Sequence, residues 1–207
     1  MVAFVRFITG LAILSLATAV QADRLIHIPL GKKVPKKVIR IEGDLNQSDL
    51  HAFHGYLDAG LTTDLDATIR NDSNRDEPRR ATFDLSYNYI SPITDASPGI
   101  SVGVQDAPNR TSDGRRFYFA STFRVGLGGS ADTFTPAEIT LGGFAGKKST
   151  AFVGAMLPLT PSFRLMAEHD GYRVNAGIDM RPTSDISVKY LFIGSKPEIG
   201  VQLRSKF

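Results

Sequence analysis

The strongest constraint on this chain is an alternation of apolar and polar residues with a period of two, which recurs from residue 37 onward. A period of two is typical of β-strands that present one apolar face. Twelve windows carry the alternation, and clusters of Gly, Pro, Asn, Asp, Ser and Thr separate them. Because helical periodicity is not sustained, the sequence predicts an all-β protein. The windows span 37–43, 52–60, 65–70, 81–89, 100–106, 117–125, 137–145, 151–157, 163–169, 172–180, 186–193 and 199–207.

Charged residues fall on one phase of these windows. The apolar phase of window 117–125, for example, contains Phe117, Phe119, Ser121, Phe123 and Val125 and no charge. The opposite phases carry six acids and six bases, which predicts a network of paired charges on one face. The twelve are Asp58, Asp66, Arg70, Asp84, Arg124, Glu138, Arg164, Glu168, Arg173, Asp179, Lys189 and Arg204.

Two arrangements place the charges on one face of a sheet. A soluble β-sandwich buries the apolar face, whereas a transmembrane β-barrel turns it toward lipid and lines its lumen with the polar face. The final window favours the barrel, because Ile199, Val201, Leu203 and the aromatic Phe207 share one phase, as in the terminal strand of outer-membrane barrels. We therefore expect residues 37–207 to form a closed antiparallel barrel of about twelve strands, with eight to ten as the alternative. Phe207 is then the candidate signal for the barrel-assembly machinery.

Residues 1–22 have the features of an export signal. Arg6 precedes an apolar run from Phe7 to Val20, and Ala22 provides a small residue at the cleavage position. The run has about 14 residues and a bilayer span needs roughly 20, so a cleaved signal peptide is favoured over a membrane anchor. The following segment, 23–36, is rich in lysine around Pro35, which makes it a poor membrane strand. We expect it to lie outside the barrel wall, on the periplasmic side.

Composition excludes several classes of function. The chain has no cysteine, which removes disulfide frameworks, iron–sulfur sites, thiol nucleophiles and lipoprotein processing. The formal net charge is +3, and the bases form no stripe interleaved with aromatic residues. The sequence therefore predicts no nucleic-acid partner.

Possible catalytic and metal-binding residues are few. Glu168, His169 and Asp170 suggest a hydrolase, but neighbouring side chains in a strand point to opposite faces, so Glu168 cannot orient His169 directly. His51 and His54 also fall on opposite phases, which disfavours a two-histidine metal site. We assign no catalytic, cofactor-binding or metal-binding residue.

Several short motifs resemble a known class of proteins. The stretch from Tyr87-Asn88-Tyr89 through Gly99–Asp106, together with Ala167–Gly171 and Asn175-Ala176-Gly177, is similar to the repeating pattern of exopolysaccharide-biosynthesis outer-membrane proteins of the YjbH type. The similarity covers about residues 81–193, and the chain is much shorter than those proteins. The resemblance implies a barrel-only relative connected with polysaccharide secretion, and it carries over no catalytic residue.

These observations define the expected function. Balanced charges in a lumen favour a closed barrel over a channel that is lined by one sign of charge. We expect a non-enzymatic outer-membrane protein without a cofactor, either structural and envelope-associated or accessory to polysaccharide secretion. Its expected partners are outer-membrane lipid, the barrel-assembly machinery and polysaccharide-secretion components. A small porin and an outer-membrane hydrolase are the alternatives.

Overall fold

The structure, a computed structural model, describes residues 25–49, 52–74, 77–92, 97–126 and 136–207. The predicted signal peptide, residues 23 and 24 of the segment that follows it, and His51 lie outside this part of the chain. No helix within the described ranges is long and apolar enough to span a bilayer.

Twelve antiparallel strands form a closed barrel, in which each strand pairs with its neighbours in the sequence and β1 pairs with β12. This confirms the all-β prediction and the twelve strands, and it excludes the alternative of eight to ten strands and the open sandwich. The strands are β1 (Val38–Asn46), β2 (Phe53–Gly60), β3 (Leu65–Asn74), β4 (Glu77–Ile90), β5 (Gly99–Gln105), β6 (Arg116–Val125), β7 (Ala137–Gly146), β8 (Thr150–Thr160), β9 (Phe163–His169), β10 (Val174–Met180), β11 (Ile186–Ile193) and β12 (Lys196–Lys206).

The outer surface of the barrel is apolar and the lumen is largely polar. In β1, Ile41 and Leu45 are about half exposed on the outside, whereas Arg40, Glu42 and Asp44 are buried inside. The same alternation holds around the ring, because successive side chains of a strand point to opposite faces. This distribution is the reverse of a soluble protein, and it is compatible with an outer-membrane barrel.

Strands β3 and β4 are longer than predicted. The sequence indicated a loop from Asn71 to Arg80, whereas β3 continues to Asn74 and β4 begins at Glu77. The difference has a physical reason. The sequence from 71 to 80 is polar and so lacks the apolar alternation that identifies a strand, yet the backbone groups of β3 and β4 still pair.

The structure corrects the expected position of the amino-terminal segment. Residues 25–36, which we call the plug, form no wall strand and lie inside the lumen rather than outside the barrel. Leu25 is 2% exposed, and the plug backbone donates hydrogen bonds to Glu168 near one end of the lumen and to Asp66 near the other. The apolar residues Leu25, Ile26, Ile28 and Leu30 explain this position, because they would be exposed to water at the barrel's end.

The plug runs along the length of the lumen. The terminal end of the barrel is where the chain enters β1 and leaves β12, and the opposite end, with the turn 170–173, is the distal end. Leu25 lies toward the distal end and Lys36 pairs with Gly60 at the terminal end. Lys37 then adopts a positive φ of 64°, and this turn directs the chain into β1.

Candidate functional site: the plugged lumen

One side of the lumen is an apolar core shared by the plug and the wall. Some inward positions of β8, β9 and β11 carry apolar residues where they face the plug, among them Met156, Met166 and Leu191. Burying these side chains stabilises the plug at roughly 25 cal/mol per Å² of apolar area removed from water. The cluster consists of Leu25, Ile26, Ile28 and Leu30 of the plug with Tyr118, Ala120, Phe144, Phe152, Met156, Met166, Leu191 and Ile193 of the wall.

Glu168 holds the distal part of the plug. The backbone N–H groups of Ile26, His27 and Ile28 all donate to its carboxylate, at 2.9 to 3.3 Å. Asn175 Nδ2 donates to the same carboxylate at 2.9 Å. A charged acceptor that satisfies three consecutive buried N–H groups fixes the plug backbone as well as its side chains.

Four further polar contacts hold the rest of the plug. The Ser101 hydroxyl donates to the carbonyl of Leu30 at 2.6 Å, and Gly31 N–H donates to the Thr122 hydroxyl at 2.8 Å. Val34 N–H donates to Asp66 Oδ2 at 2.8 Å. Lys32 forms an ion pair with Glu138. The plug is therefore bound along its length rather than at one point.

Glycines of the wall make room for the plug. A Cβ atom on Gly99 would collide with the carbonyl of Gly31, and one on Gly60 would collide with the carbonyl of Pro35. A Cβ atom on Gly154 would collide with the side chain of Leu25. All three glycines occupy inward positions of their strands, so the wall is shaped to fit this segment.

Most of the predicted charge network lies inside the barrel. All of the twelve residues except Arg173 point into the lumen. The buried members are Asp58, Asp66, Glu138, Arg164, Glu168, Asp179 and Lys189, and the half-buried members are Arg70, Asp84, Arg124 and Arg204.

Several members of the network pair with one another across neighbouring strands. Arg164 pairs with Asp179, which also accepts hydrogen bonds from Ser187 and Arg181. Arg124 Nε lies 3.4 Å from Glu138 Oε1. Arg70 Nη1 lies 3.8 Å from Asp84 Oδ2. These contacts are those expected where opposite charges face each other on adjacent strands.

Arg173 is the exception, because the sequence placed it in the strand window 172–180 and the structure places it in a turn. Arg173 precedes β10 and is exposed in the turn 170–173, where its guanidinium lies 3.4 Å from Asp170. The residue opposite Glu168 is Asn175. The turn is tightened by Asp170, whose Oδ1 accepts the N–H groups of Tyr172 and Arg173. Burial opposes ionisation of Asp170, but these hydrogen bonds outweigh it and lower its pKa.

The sequence interpretation missed two charged residues of the lumen, Arg40 and Glu42, which pair with members of the predicted network. Lys189 pairs with Glu42 at 2.5 Å, and Arg40 pairs with Asp58 at 2.8 Å. Arg40 and Glu42 alternate with Ile39 and Ile41, so the signal was present in the first window. The plug also left a signal, because β8 reads Ala-Phe-Val-Gly-Ala-Met-Leu and is apolar on both phases.

Among the described residues, one group of side chains comes close enough together to be considered as a metal site. One ligand atom each of His27, Glu168 and Asp170 lies within 4.8 Å of the others. Both carboxylates, however, already accept several hydrogen bonds, so their lone pairs are in use. His54 contacts His27 ring to ring at 5.8 Å. His169 is exposed and Glu168 is buried, so the two neighbours point to opposite faces.

The other side of the lumen is an open, polar space. A cavity of about 480 Å³ lies beside the plug and is lined by residues of the plug and of β1–β7, and we call it the crevice. Its lining includes Tyr56, Asp58, Arg70, Asp84, Gln105, Arg116 and Tyr118 from the wall and Lys148 and Tyr172 from distal turns.

Comparison with known proteins finds no protein family that matches the chain and no curated protein that is similar to it.

Proposed function

We propose that the protein is a non-enzymatic outer-membrane β-barrel whose lumen is closed by its own plug. The observation that carries the proposal is the combination of an apolar outer surface with a lumen half filled by bound polypeptide. An apolar band around a closed barrel suits lipid, since the ring formed by the described strands leaves no strand edge open. The outward position of His169, away from Glu168, supports the non-enzymatic part.

The physiological role follows from a closed lumen. A barrel that does not conduct contributes to the envelope as a structural protein or as an accessory to polysaccharide secretion. The resemblance of residues 81–193 to the YjbH-type proteins supports the second role. Insertion depends in this proposal on the barrel-assembly machinery and on Phe207, which is exposed and shares the outward phase of β12.

Single-channel recording in planar bilayers tests the closed lumen. We expect the intact protein to give no conductance steps, and a variant that lacks residues 25–33 to give them. Steps from the intact protein at the same protein concentration would contradict the proposal. Recovery of the protein in the outer-membrane fraction, with heat-modifiable gel mobility, tests the location.

A small porin is the second candidate function. The crevice favours it, because polar and charged groups line the space from Asp66 near the terminal end to Tyr172 at the distal end. A water path along this space would give small steps even with the plug in place. The same recording therefore separates the two candidates.

A further inference from the structure

The crevice has the size and the access of a ligand-binding site. Its volume of about 480 Å³ lies within the range of roughly 300–1,000 Å³ that is usual for small-molecule sites. Asp113, Lys148 and Tyr172, which line it at the distal end, are exposed to solvent. Lys33 and Val34 of the plug line it toward the terminal end. A ligand therefore enters from the distal end.

Aromatic rings line the distal part of the crevice. Tyr118 packs edge to face against Phe144, with ring centroids 6.4 Å apart, and Tyr56 and Tyr172 contribute two more rings. A sugar ring presents C–H groups on its faces and hydroxyl groups at its edge. Aromatic rings bind the C–H faces of a sugar, and the polar groups that line the crevice can bind its hydroxyl groups.

Arg116 is the base best placed to bind an anion. Its guanidinium lies 4.5 Å above the Phe144 ring and donates one hydrogen bond to Gln105 at 3.0 Å. Its ion pair with Asp113 is long, at 3.8 Å, and Asp113 is 56% exposed, so the pair is weak. A guanidinium fixed in orientation in this way matches the two oxygens of a carboxylate.

The acids of the crevice limit the charge of the ligand. Asp84 and Asp113 lie among the lining residues, and they would repel a doubly charged phosphate more strongly than a carboxylate. Their oxygens also accept hydrogen bonds from hydroxyl groups. Mixed charges next to aromatic rings therefore favour a ligand with single negative charges and many hydroxyls.

We propose that the crevice binds a carboxylate-bearing saccharide, with sugar rings against Tyr118 and Tyr172 and a carboxylate on Arg116. This binding goes beyond the closed lumen and does not depend on whether the barrel conducts. A failure of the conductance test would leave the binding test intact, and the reverse also holds.

Isothermal titration of the detergent-solubilised barrel tests the proposal with three probes. We expect trigalacturonic acid to bind, and maltotriose and sodium sulfate to bind at least tenfold more weakly. Equal binding of maltotriose would overturn the role of the carboxylate, and equal binding of sulfate would overturn the role of the sugar rings. Absence of trigalacturonic acid binding would overturn the whole proposal.

Variants connect binding to the named residues. Arg116→Gln removes a charged hydrogen-bond donor, and we expect the affinity for trigalacturonic acid to fall about tenfold or more. Arg115→Gln changes the net charge equally at an exposed neighbour outside the crevice and should leave the affinity unchanged. Tyr172→Ala, in an exposed turn where folding is not at stake, should also weaken binding. Equal effects of Arg116→Gln and Arg115→Gln, or no effect of Tyr172→Ala, would refute the assignment.

Discussion

The backbone N–H of Ile26 donates a hydrogen bond of 3.0 Å to Oε2 of Glu168, and this contact joins the plug to the barrel wall at the buried distal end of the apolar core. Two more N–H groups of the plug share the same carboxylate. Glu168 therefore determines whether the distal part of the plug stays in place.

Glu168→Ala should release the distal plug. The substitution leaves buried N–H groups without an acceptor, at about 1–3 kcal/mol for each unsatisfied group. We expect the free energy of unfolding to fall by about 3 kcal/mol, measured by guanidinium titration of the protein in lipid vesicles. Glu168→Gln keeps one acceptor oxygen and should lose less.

His169→Ala is the matched control for this change. It alters the next residue, which is exposed on the outer face and accepts one exposed hydrogen bond from Gly171 N–H, and it should change stability by about 1 kcal/mol or less. Trypsin should cleave at Lys32 and Lys33 faster in Glu168→Ala than in the control. Equal stability and equal cleavage in both variants would show that Glu168 does not hold the plug.

Gly154→Leu should displace the plug by filling its space. The new side chain would occupy the positions of Leu25 and Ile28, and overpacking of this kind costs about 1–3 kcal/mol. Ala155→Leu, one residue away and exposed on the outer face, adds a similar side chain without this collision. Guanidinium titration of both variants should show a loss for Gly154→Leu alone. The same loss in Ala155→Leu would mean that the plug does not occupy this space.

Leu85→Arg and Ser86→Arg test which face meets lipid. Leu85 borders the crevice but belongs to the outward row of β4, between the exposed Phe83 and Tyr87, whereas Ser86 belongs to the inward row that lines the crevice. In vesicles, Leu85→Arg should cost about 2–4 kcal/mol because it exposes a charge to hydrocarbon, and Ser86→Arg should cost less. Equal costs would contradict insertion with the apolar face toward lipid.

Asp106 should make stability depend on pH. It caps a turn after β5, where its carboxylate accepts the N–H groups of Arg110 and Thr111 and the Thr111 hydroxyl. Burial opposes ionisation, but these hydrogen bonds outweigh it and lower the pKa of Asp106. Its stabilisation is thus fully present above the unfolded pKa of about 3.9 and is lost as the pH falls through the lower, folded pKa.

Asp106→Asn isolates this contribution. Asparagine tolerates the positive φ of 51° at this position, so the backbone is preserved. Denaturant midpoints should differ between wild type and variant from pH 5 to 8 and should converge in strong acid. A difference that grows on acidification would contradict the role of the ionised carboxylate.

The wall of this barrel was predictable from the sequence, and its contents were not. The alternation of apolar and polar residues identifies a strand such as β6, because one face of the strand lies on the apolar outer surface and the other faces the polar lumen. It also placed Arg164 and Asp179 on the lumen side. The plug alternates only over Ile26, Ile28 and Leu30, and a run this short does not indicate which surface the segment contacts. Its partners lie far along the chain, as Ile26 and Glu168 do, and no local pattern connects them.

The apolar faces of β8 have a consequence for pairing. A strand with one polar face resists a shift by one residue, because the shift would exchange its faces. In β8 the shift would bring Val153 or Leu157 inward in place of Phe152 or Met156, with little change in hydrophobicity. Only Gly154 leaves space for Leu25 and Ile28. The contact between the plug and Gly154 thus favours one register of β8. A barrel assembled without the plug would lack the contact that distinguishes this register from one shifted by a single residue.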